Sequence, residues 1–367
     1  MKLHEFYGKL VESKVGREYQ HLEDLVFVDG SAGALRAADI LDGLASDSSD
    51  VAIKWDGNPT IYWGRELDST FVLVGKNGWG KNMSTSAQDL SNFIKQSGKG
   101  EDWRGKFGND MGIVFDAMEK ATPIDFRGYV YGDLLFHPGK AQKVVKDVVT
   151  FTPNHVTYTV KIDGNNIGAR MAQADVCVVV HTQHNEFGSK EGTPLSDVEG
   201  LNSPNVVVLG QTYVQHQPEL HVDTTADIRD SVNKFGKAID AFLAPVKGLS
   251  DMKNIIYTYV NQTSKAKNLA NIESAFFAWL NTSKVSTNKQ AKIKIMHDES
   301  PLALPAIFLL VKDIMTAKDD IIEQLDAAET EVTATTGEES GGEGFVAQNS
   351  KIKLVPRQRW QPNWTPN

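Results

Sequence analysis

The residues best suited to chemistry lie in a short segment, Val51–Pro59, in which an apolar strand pattern ends at a single lysine. An acid and a glycine, Asp56 and Gly57, follow Lys54 closely, and a second strand pattern begins at Thr60. A lysine between two strands has a fixed backbone and an amine that is able to face a ligand at the edge of a sheet. The pattern favours a nucleophile held against a bound nucleotide.

The composition of the chain limits the classes of protein to which it can belong. The chain has 367 residues and is 41% hydrophobic, which is enough for a real core in one large or two modest domains. A net charge of -9 argues against a purely electrostatic nucleic-acid binder. Cys177 is the single cysteine, so no intrachain disulfide forms and a cytoplasmic location is expected. No apolar run is long enough to span a membrane.

Apolar patterning predicts strands and helices in the first half of the chain. Residues 1–50 and 86–120 are predicted to be helical. Alternation or short apolar runs predict strands at residues 51–63, 71–74, 129–136, 155–162 and 176–180. His181 and His184 lie three residues apart at a strand end without a clear third ligand, so this pair does not predict a metal site.

Beyond residue 223 the apolar residues recur at steps of three and four, which indicates amphipathic helices. The sequence therefore predicts an all-helical module over residues 223–328 and a flexible Thr-, Glu- and Gly-rich linker over residues 329–342. Strand patterns return at Gly344–Ala347 and Lys351–Val355. We therefore expect a core made of residues 1–222 and 343–367, interrupted by the module as an insertion.

Four short motifs occur in a fixed order along the chain. They are Lys54-Trp55-Asp56-Gly57, Tyr131-Gly132-Asp133-Leu134-Leu135-Phe136, Glu343-Gly344-Phe345-Val346 and Lys351-Ile352-Lys353-Leu354. Their order and types resemble the covalent nucleotidyltransferase superfamily of ATP-dependent DNA ligases, RNA ligases and GTP-dependent mRNA capping enzymes. The resemblance covers about residues 50–185 and 340–357. More loosely, the whole chain is similar to uncharacterised proteins of tailed phages, which implies the host cytoplasm as its location.

The resemblance implies an α+β fold, a ligase-type nucleotidyltransferase core with antiparallel sheets around the helical insertion. It implies that Lys54 is the nucleophile and that Lys351 and Lys353 assist it. Asp133 and Glu343 would hold Mg²⁺ or the ribose hydroxyls. The remaining expected nucleotide-binding residues are Ile53, Trp55, Asp56, Gly57, Arg65 and Lys76; the apolar strand Val176–Val180 is an alternative surface for the base.

The chemistry needs a lysine without its proton. A free lysine has a pKa near 10.4 and is mostly protonated at neutral pH, but nearby cations and partial burial lower such a pKa. Lys351 and Lys353, two residues apart on a strand and hence expected on one face, would supply that positive field. They would also neutralise the α-phosphate during attack.

Three departures from the family pattern refine the prediction. Asn58-Pro59 stands where an arginine is usual, and Arg65 or Lys76 is the candidate replacement. Asp133 replaces the usual glutamate and reaches one methylene less far. Few residues follow Lys353, so no C-terminal OB-fold is expected, which disfavours DNA ligases and capping enzymes.

The sequence thus predicts an ATP-dependent polynucleotide ligase, acting on RNA rather than DNA, with a Lys54–AMP intermediate, Mg²⁺ and a substrate that ends in a 5′-phosphate. The alternatives are a GTP-dependent guanylyltransferase and a catalytically silent relative that binds nucleic acid or a protein partner. A structural role in a virion is a further alternative.

Overall fold

The computed structural model describes residues 20–96, 102–164, 166–195, 197–210, 218–265, 269–328 and 330–357. The helix predicted within residues 1–19 lies outside these ranges. The described chain is an α+β protein whose sheets are largely antiparallel. It divides into two compact units. We call residues 1–51, 217–328 and 344–367 the helical unit, and residues 52–216 and 329–343 the sheet unit.

The strands are numbered in chain order. They are β1 Gln20–His21, β2 Val51–Ile53, β3 Thr60–Arg65, β4 Phe71–Gly75, β5 Gly128–Phe136, β6 Lys143–Val145, β7 Val148–Phe151, β8 Val156–Lys161, β9 Val176–His184, β10 Thr193–Pro194, β11 Val206–Leu209, β12 Val332–Thr336, β13 Glu339–Ser340, β14 Phe345–Ala347 and β15 Ile352–Leu354. The α-helices are α1 Leu25–Ser46, α2 Ala87–Gln96, α3 Asp102–Ala121, α4 Ile167–Gln173, α5 Thr225–Leu243, α6 Met252–Lys265, α7 Phe276–Thr282, α8 Thr287–Glu299 and α9 Ala303–Ala327.

The helical unit is built around α1, α5 and α9, which pack on one another through apolar stripes. Ile228, Val232 and Ile239 form the buried stripe of α5, at the predicted spacing. The small residues Ala34, Ala37 and Ala38 of α1 are fully buried and allow close packing of the helices. Strand β15 pairs in parallel with β1 and antiparallel with β14.

A group of charged side chains is buried inside the helical unit. Lys318 of α9 donates hydrogen bonds to both carboxylate oxygens of Glu23, at 3.0 and 2.9 Å. Arg357 contacts Glu23 and Asp24. Burial alone would raise the pKa of Glu23, but the attraction of Lys318 and Arg357 outweighs it and lowers that pKa below its usual range.

The sheet unit contains two sheets. In the larger sheet the strands run in the order β10–β9–β5–β3–β4, and β11 pairs in parallel with β9. Apolar residues on one face of this sheet, among them Ile61, Trp63 and Val130, pack with residues of α2 and α3 such as Leu90 and Phe115. The opposite face carries the polar and aromatic residues of the candidate site. The second sheet runs in the order β13–β12–β8–β7–β6.

The segment predicted to be a flexible linker is instead part of the second sheet. Within residues 330–342, β12 pairs antiparallel with β8, so that Val332 lies opposite Val160 and Thr335 opposite Thr157. Val332 is buried. The threonine content that suggested a linker fits a strand, because β-branched residues pack well on a pleated surface.

The division of the chain also differs from the predicted one. Helix α1 packs against α5, and the hairpin residues Ala347, Ile352 and Leu354 share a core with the helices. Residues 1–51 and 344–367, which were expected in the core of the predicted enzyme, therefore belong to the helical unit. Patterning predicted the helices themselves but not which strands pack with them.

Cys177 provides a simple check on the packing of the sheet unit. Its side chain is fully buried in β9, and burial raises the pKa of the thiol. We expect the native protein to react with a thiol reagent such as DTNB at least about a hundredfold more slowly than the urea-unfolded chain. Rapid reaction of one thiol per folded chain would contradict this packing.

Candidate active site

Lys54 follows β2 and its amine forms an ion pair with the carboxylate of Glu343. Both side chains are half-buried, with 24% of Lys54 and 17% of Glu343 exposed. The two residues come from nearly opposite ends of the chain, and both belong to the sheet unit. The first and fourth motifs therefore contribute one charged side chain each to the same place.

Asp56, two residues after Lys54, is bound by residues on or next to β8 of the second sheet. Its backbone N–H donates to the hydroxyl of Tyr158 at 2.7 Å, and the amide of Asn154 donates to its carboxylate at 3.0 Å. Burial raises the pKa of Asp56, while the Asn154 hydrogen bond and the charge of Lys54 oppose that rise. The turn after Lys54 is thus fixed through both its backbone and its carboxylate.

The same turn also contacts β5 of the larger sheet. The N–H of Asn58 donates to the carbonyl of Leu134 at 2.8 Å, and the N–H of Leu134 donates to the carbonyl of Pro59 at 3.0 Å. A Cβ atom on Gly57 would lie 2.7 Å from the Cβ of Asp133 and 2.8 Å from the carbonyl oxygen of Leu134. A glycine is needed here because the first and third motifs touch at this point.

Replacing Gly57 with alanine should therefore destabilise the sheet unit by about 1–3 kcal/mol, since the added methyl group must displace the backbone of β5. The measurement is urea unfolding. Gly105 in α3 is the matched control, because a Cβ there meets nothing within 4 Å; Gly105→Ala should be neutral or stabilising by up to about 1 kcal/mol. Equal stability of the two variants would contradict the close contact at Gly57.

Asp133 of the third motif is hydrogen-bonded through both of its oxygens. The hydroxyl of Thr60 donates to one at 2.6 Å, and the Nε2 of His181 lies 2.8 Å from the other. The ring of Tyr131 packs on the His181 ring, with 5.0 Å between their centroids. Sequence reasoning considered His181 only as a metal ligand with His184 and missed its pairing with Asp133, because the pairing requires the antiparallel register of β5 and β9.

A row of aromatic rings continues from Asp133 across the face of the larger sheet that is opposite to the one packed on α2 and α3. Tyr62 stacks on Trp79 at 4.1 Å and on Tyr131 at 4.8 Å between centroids. The indole N–H of Trp79 donates to the carbonyl of Ser189 at 3.0 Å, which fixes this end of the row. Burial, with the negative charge of Asp133, raises the pKa of Tyr131 to about 12. The candidate site thus has a stiff aromatic wall on one side.

Three predicted nucleotide-binding residues have structural roles instead. Ile53 and Trp55 are buried, and the Trp55 ring packs against Phe151 and Tyr158, with centroids 6.3 and 4.8 Å apart. The guanidinium of Arg65 is also buried, and it donates to the backbone carbonyls of Ser69, Glu119, Thr122 and Pro123. Each of the three guanidinium nitrogens donates to a backbone oxygen, so this buried cation is a poor replacement for the arginine missing after the first motif.

The alternative surface for the base is also part of the core. Every side chain of Val176–Val180 is buried, and Val176, Val178 and Val180 belong to the apolar cluster that the larger sheet forms with α2 and α3. Lys76, by contrast, is exposed and directly follows β4. Since Gly75 lies opposite Ile61 in the sheet, Lys76 is at the same end of β3 as Thr60.

The lysines of the fifth motif lie in the helical unit. Lys353 is the central residue of β15 and lies opposite Val346. Lys351 precedes the strand in a turn, with a φ of 55°. The period-two argument that placed both side chains on one face of a strand is therefore wrong for Lys351. The functional roles that the resemblance implies for these two lysines stay predictions.

The donor set of the site fits a magnesium ion that arrives with a nucleotide. Mg²⁺ is usually bound by one or two carboxylates together with substrate phosphates and water. Asp133 and Glu343 provide two half-buried carboxylates in the sheet unit. No group of three or more His, Cys, Asp or Glu side chains able to hold a metal occurs among the described residues.

Fold and site together define an α+β protein with a lysine–glutamate pair and an aspartate–histidine pair in its sheet unit. The chain belongs to DUF6267, a family of unknown function whose model matches residues 18–365. No curated protein and no solved structure matches the chain. Across the described ranges, no single helix is long and apolar enough to cross a membrane; α8 and α9 pass that test only jointly and are bent by 92° at their break.

Proposed function

We propose that this protein is an ATP-dependent polynucleotide ligase, most similar to RNA ligases, that acts through a covalent lysyl-AMP intermediate on Lys54. The observation that carries the proposal is the meeting of three motif segments in one unit. Lys54 pairs with Glu343, and the turn after Lys54 touches Asp133. A half-buried lysine that three motif segments hold in place has the setting that a lysine nucleophile requires.

The first step is attack by Lys54 on the α-phosphorus of ATP. The carboxylate of Glu343 contacts the ammonium group and is therefore the acceptor for the proton that the amine must lose. Attack forms the N–P bond and breaks the P–O bond to the β-phosphate. Pyrophosphate leaves, and the second amine proton passes to solvent, so the product is a neutral phosphoramidate nitrogen carrying AMP.

The next steps pass AMP to nucleic acid and then release it. An oxygen of a 5′-phosphate end attacks the AMP phosphorus, the N–P bond breaks, and Lys54 regains its amine proton. A 3′-hydroxyl then attacks the activated 5′-phosphate, and AMP leaves as the phosphodiester forms. The two steps consume the phosphoramidate without any oxidant or reductant.

The other residues have supporting roles in this proposal. Asp133 would hold Mg²⁺, which would neutralise charge on the phosphates, and Glu343 would serve as a second ligand once it has passed the Lys54 proton to solvent. Asp133 is kept in place by Thr60 and His181, so its oxygens have a fixed direction toward a ribose hydroxyl or a metal-bound water. Of the two candidates for the missing arginine, Lys76 is the one with an exposed side chain, and it would contact the nucleotide phosphates.

The test is covalent labelling of the purified full-length chain, first treated with pyrophosphate to discharge any bound AMP. The folded protein is incubated with α-labelled ATP or α-labelled GTP and Mg²⁺, denatured, separated on a gel and mapped by mass spectrometry. We expect label from ATP on the peptide that contains Lys54. Label from GTP alone would replace the ligase with a guanylyltransferase, and no label from either nucleotide would overturn the proposed nucleophile.

The acceptor is tested with the labelled protein itself. Chase with a 5′-phosphorylated RNA should move labelled AMP to the RNA end, whereas RNA with a 5′-hydroxyl should leave it on the protein. Faster transfer to 5′-phosphorylated DNA of the same sequence would correct the substrate class from RNA to DNA.

A further inference from the structure

We infer that Tyr158 and Asn154, which lie outside all four motifs, are positioning residues that set the distance between Lys54 and Glu343. Both lie on or next to β8 in the second sheet, and both bind Asp56. The inference rests on the proposed function only for its activity readout; the geometric claim stands on the contacts themselves.

Tyr158 contacts the Lys54 segment through a part-buried hydrogen bond and through its ring. Its side chain is completely buried, and its hydroxyl accepts the N–H of Asp56 at 2.7 Å. The same ring packs on Trp55 at 4.8 Å between centroids. A buried backbone N–H without an acceptor is unfavourable, so this hydroxyl fixes the backbone just beyond Lys54.

Tyr158 also lies beside the segment that carries Glu343. A Cβ atom on Gly342 would lie 3.9 Å from a ring carbon of Tyr158 and 2.9 Å from the Cβ of Ala334. The backbone before Glu343 therefore lies against β12 and the Tyr158 ring. One buried side chain thus contacts the Lys54 segment and lies beside the segment that carries Glu343.

Asn154 restrains the same turn through the side chain of Asp56. It lies in the loop between β7 and β8 and donates to the carboxylate at 3.0 Å. The charged groups around this carboxylate are Lys54, Asp133 and His155. Because the Asn154 hydrogen bond favours the ionised form, its loss should raise the pKa of Asp56.

The experiment compares Tyr158→Phe with Tyr259→Phe as its matched control. Tyr259 is a buried tyrosine of the helical unit whose hydroxyl donates to the carbonyl of Ile272 at 2.6 Å. In single-turnover labelling, Tyr158→Phe should lower the maximal rate about 10- to 100-fold while the ATP concentration at half-maximal rate stays nearly constant. Tyr259→Phe should leave both quantities unchanged.

A second readout does not require activity. Competitive acetylation with acetic anhydride, followed by mass mapping, reports how accessible each lysine amine is. Lys54 should be acetylated several-fold faster in Tyr158→Phe than in wild type, and at the wild-type rate in Tyr259→Phe. An unchanged Lys54 acetylation rate in a folded Tyr158→Phe protein would overturn the inference, whether or not the wild type labels with ATP.

Asn154→Ala gives an independent check through pH. The variant should raise the pKa of Asp56. The pH below which the labelling rate falls should therefore be higher in the variant than in wild type, whereas the rates of the two proteins at high pH should differ less. If the wild type labels but both variants label at its rate and with its pH profile, the positioning role is wrong and the proposed function stands. If the wild type fails to label, the acetylation rates decide the inference alone.

Discussion

Replacing Lys54 with alanine should remove all covalent labelling by ATP, because Lys54 is the proposed nucleophile and its amine forms the ion pair with Glu343 beside the Asp56–Gly57 turn. Lys54→Arg should be equally inactive, since a guanidinium keeps its proton and its charge but is not a nucleophile at neutral pH. The measurement is the amount of radioactive AMP on the denatured chain after a fixed time. We expect a decrease of at least about a thousandfold for both variants, the size typical for loss of a covalent nucleophile.

The control for a general effect of removing a lysine is Lys190→Ala. Lys190 is exposed in the loop between β9 and β10, and its loss should leave labelling at the wild-type level. Because Glu343 would lose its cation in Lys54→Ala, that variant also needs a folding check by circular dichroism, whereas Lys54→Arg keeps a charge partner. Residual labelling of folded Lys54→Arg at more than a few per cent of wild type would mean that another residue is the nucleophile.

Local pattern predicted the elements around Lys54 well, and the reason is physical. Ile61 and Trp63 alternate with Thr60 and Tyr62 because one face of β3 packs on helices and is fully buried, whereas the other leaves its side chains partly exposed. Such alternation is visible in the sequence alone. The same holds for α5, whose stripe of Ile228, Val232 and Ile239 is fully or largely buried at the expected spacing.

The parts of the site that the sequence did not reveal depend on contacts between distant segments. Tyr158 is patterned as an ordinary buried strand residue, and nothing local marks its hydroxyl as the acceptor for the Asp56 N–H. His181 becomes the partner of Asp133 only through the register of β5 and β9. Arg65 had the right charge for a phosphate contact, but its burial against the end of α3 is a property of packing that charge does not indicate.

Replacing Glu23 with glutamine should destabilise the helical unit by about 3–5 kcal/mol, the cost typical of leaving buried charges without their partner. Glu23 and Lys318 are both fully buried, and Arg357 also pairs with Glu23. The variant therefore leaves the buried Lys318 facing a neutral amide, and leaves Arg357 with Asp24 as its carboxylate partner. Hydrogen exchange of peptides from α9 measures this unit separately, and its protection should fall by roughly two to four powers of ten.

Two further variants test whether burial is the cause. Lys318→Met keeps a long unbranched side chain and leaves Glu23 paired with Arg357, so its cost should be smaller than that of Glu23→Gln. Arg36→Gln breaks an exposed pair with Asp29, in which 48% and 43% of the side chains are exposed, and should cost less than about 1 kcal/mol. Equal losses in Glu23→Gln and Arg36→Gln would contradict the buried network.

The pH dependence of the same exchange measurement identifies the charge of Glu23 as the source of the stability. The pKa of Glu23 is lowered in the folded chain because Lys318 and Arg357 outweigh the opposing effect of burial. A carboxyl group with a lowered folded-state pKa contributes stability fully above its unfolded value, about 4.3, and loses that contribution as the pH falls below it. The difference in α9 protection between wild type and Glu23→Gln should therefore be constant near neutral pH and shrink below about pH 4. A difference that stays constant down to pH 3 would show that the variant acts through packing rather than through charge.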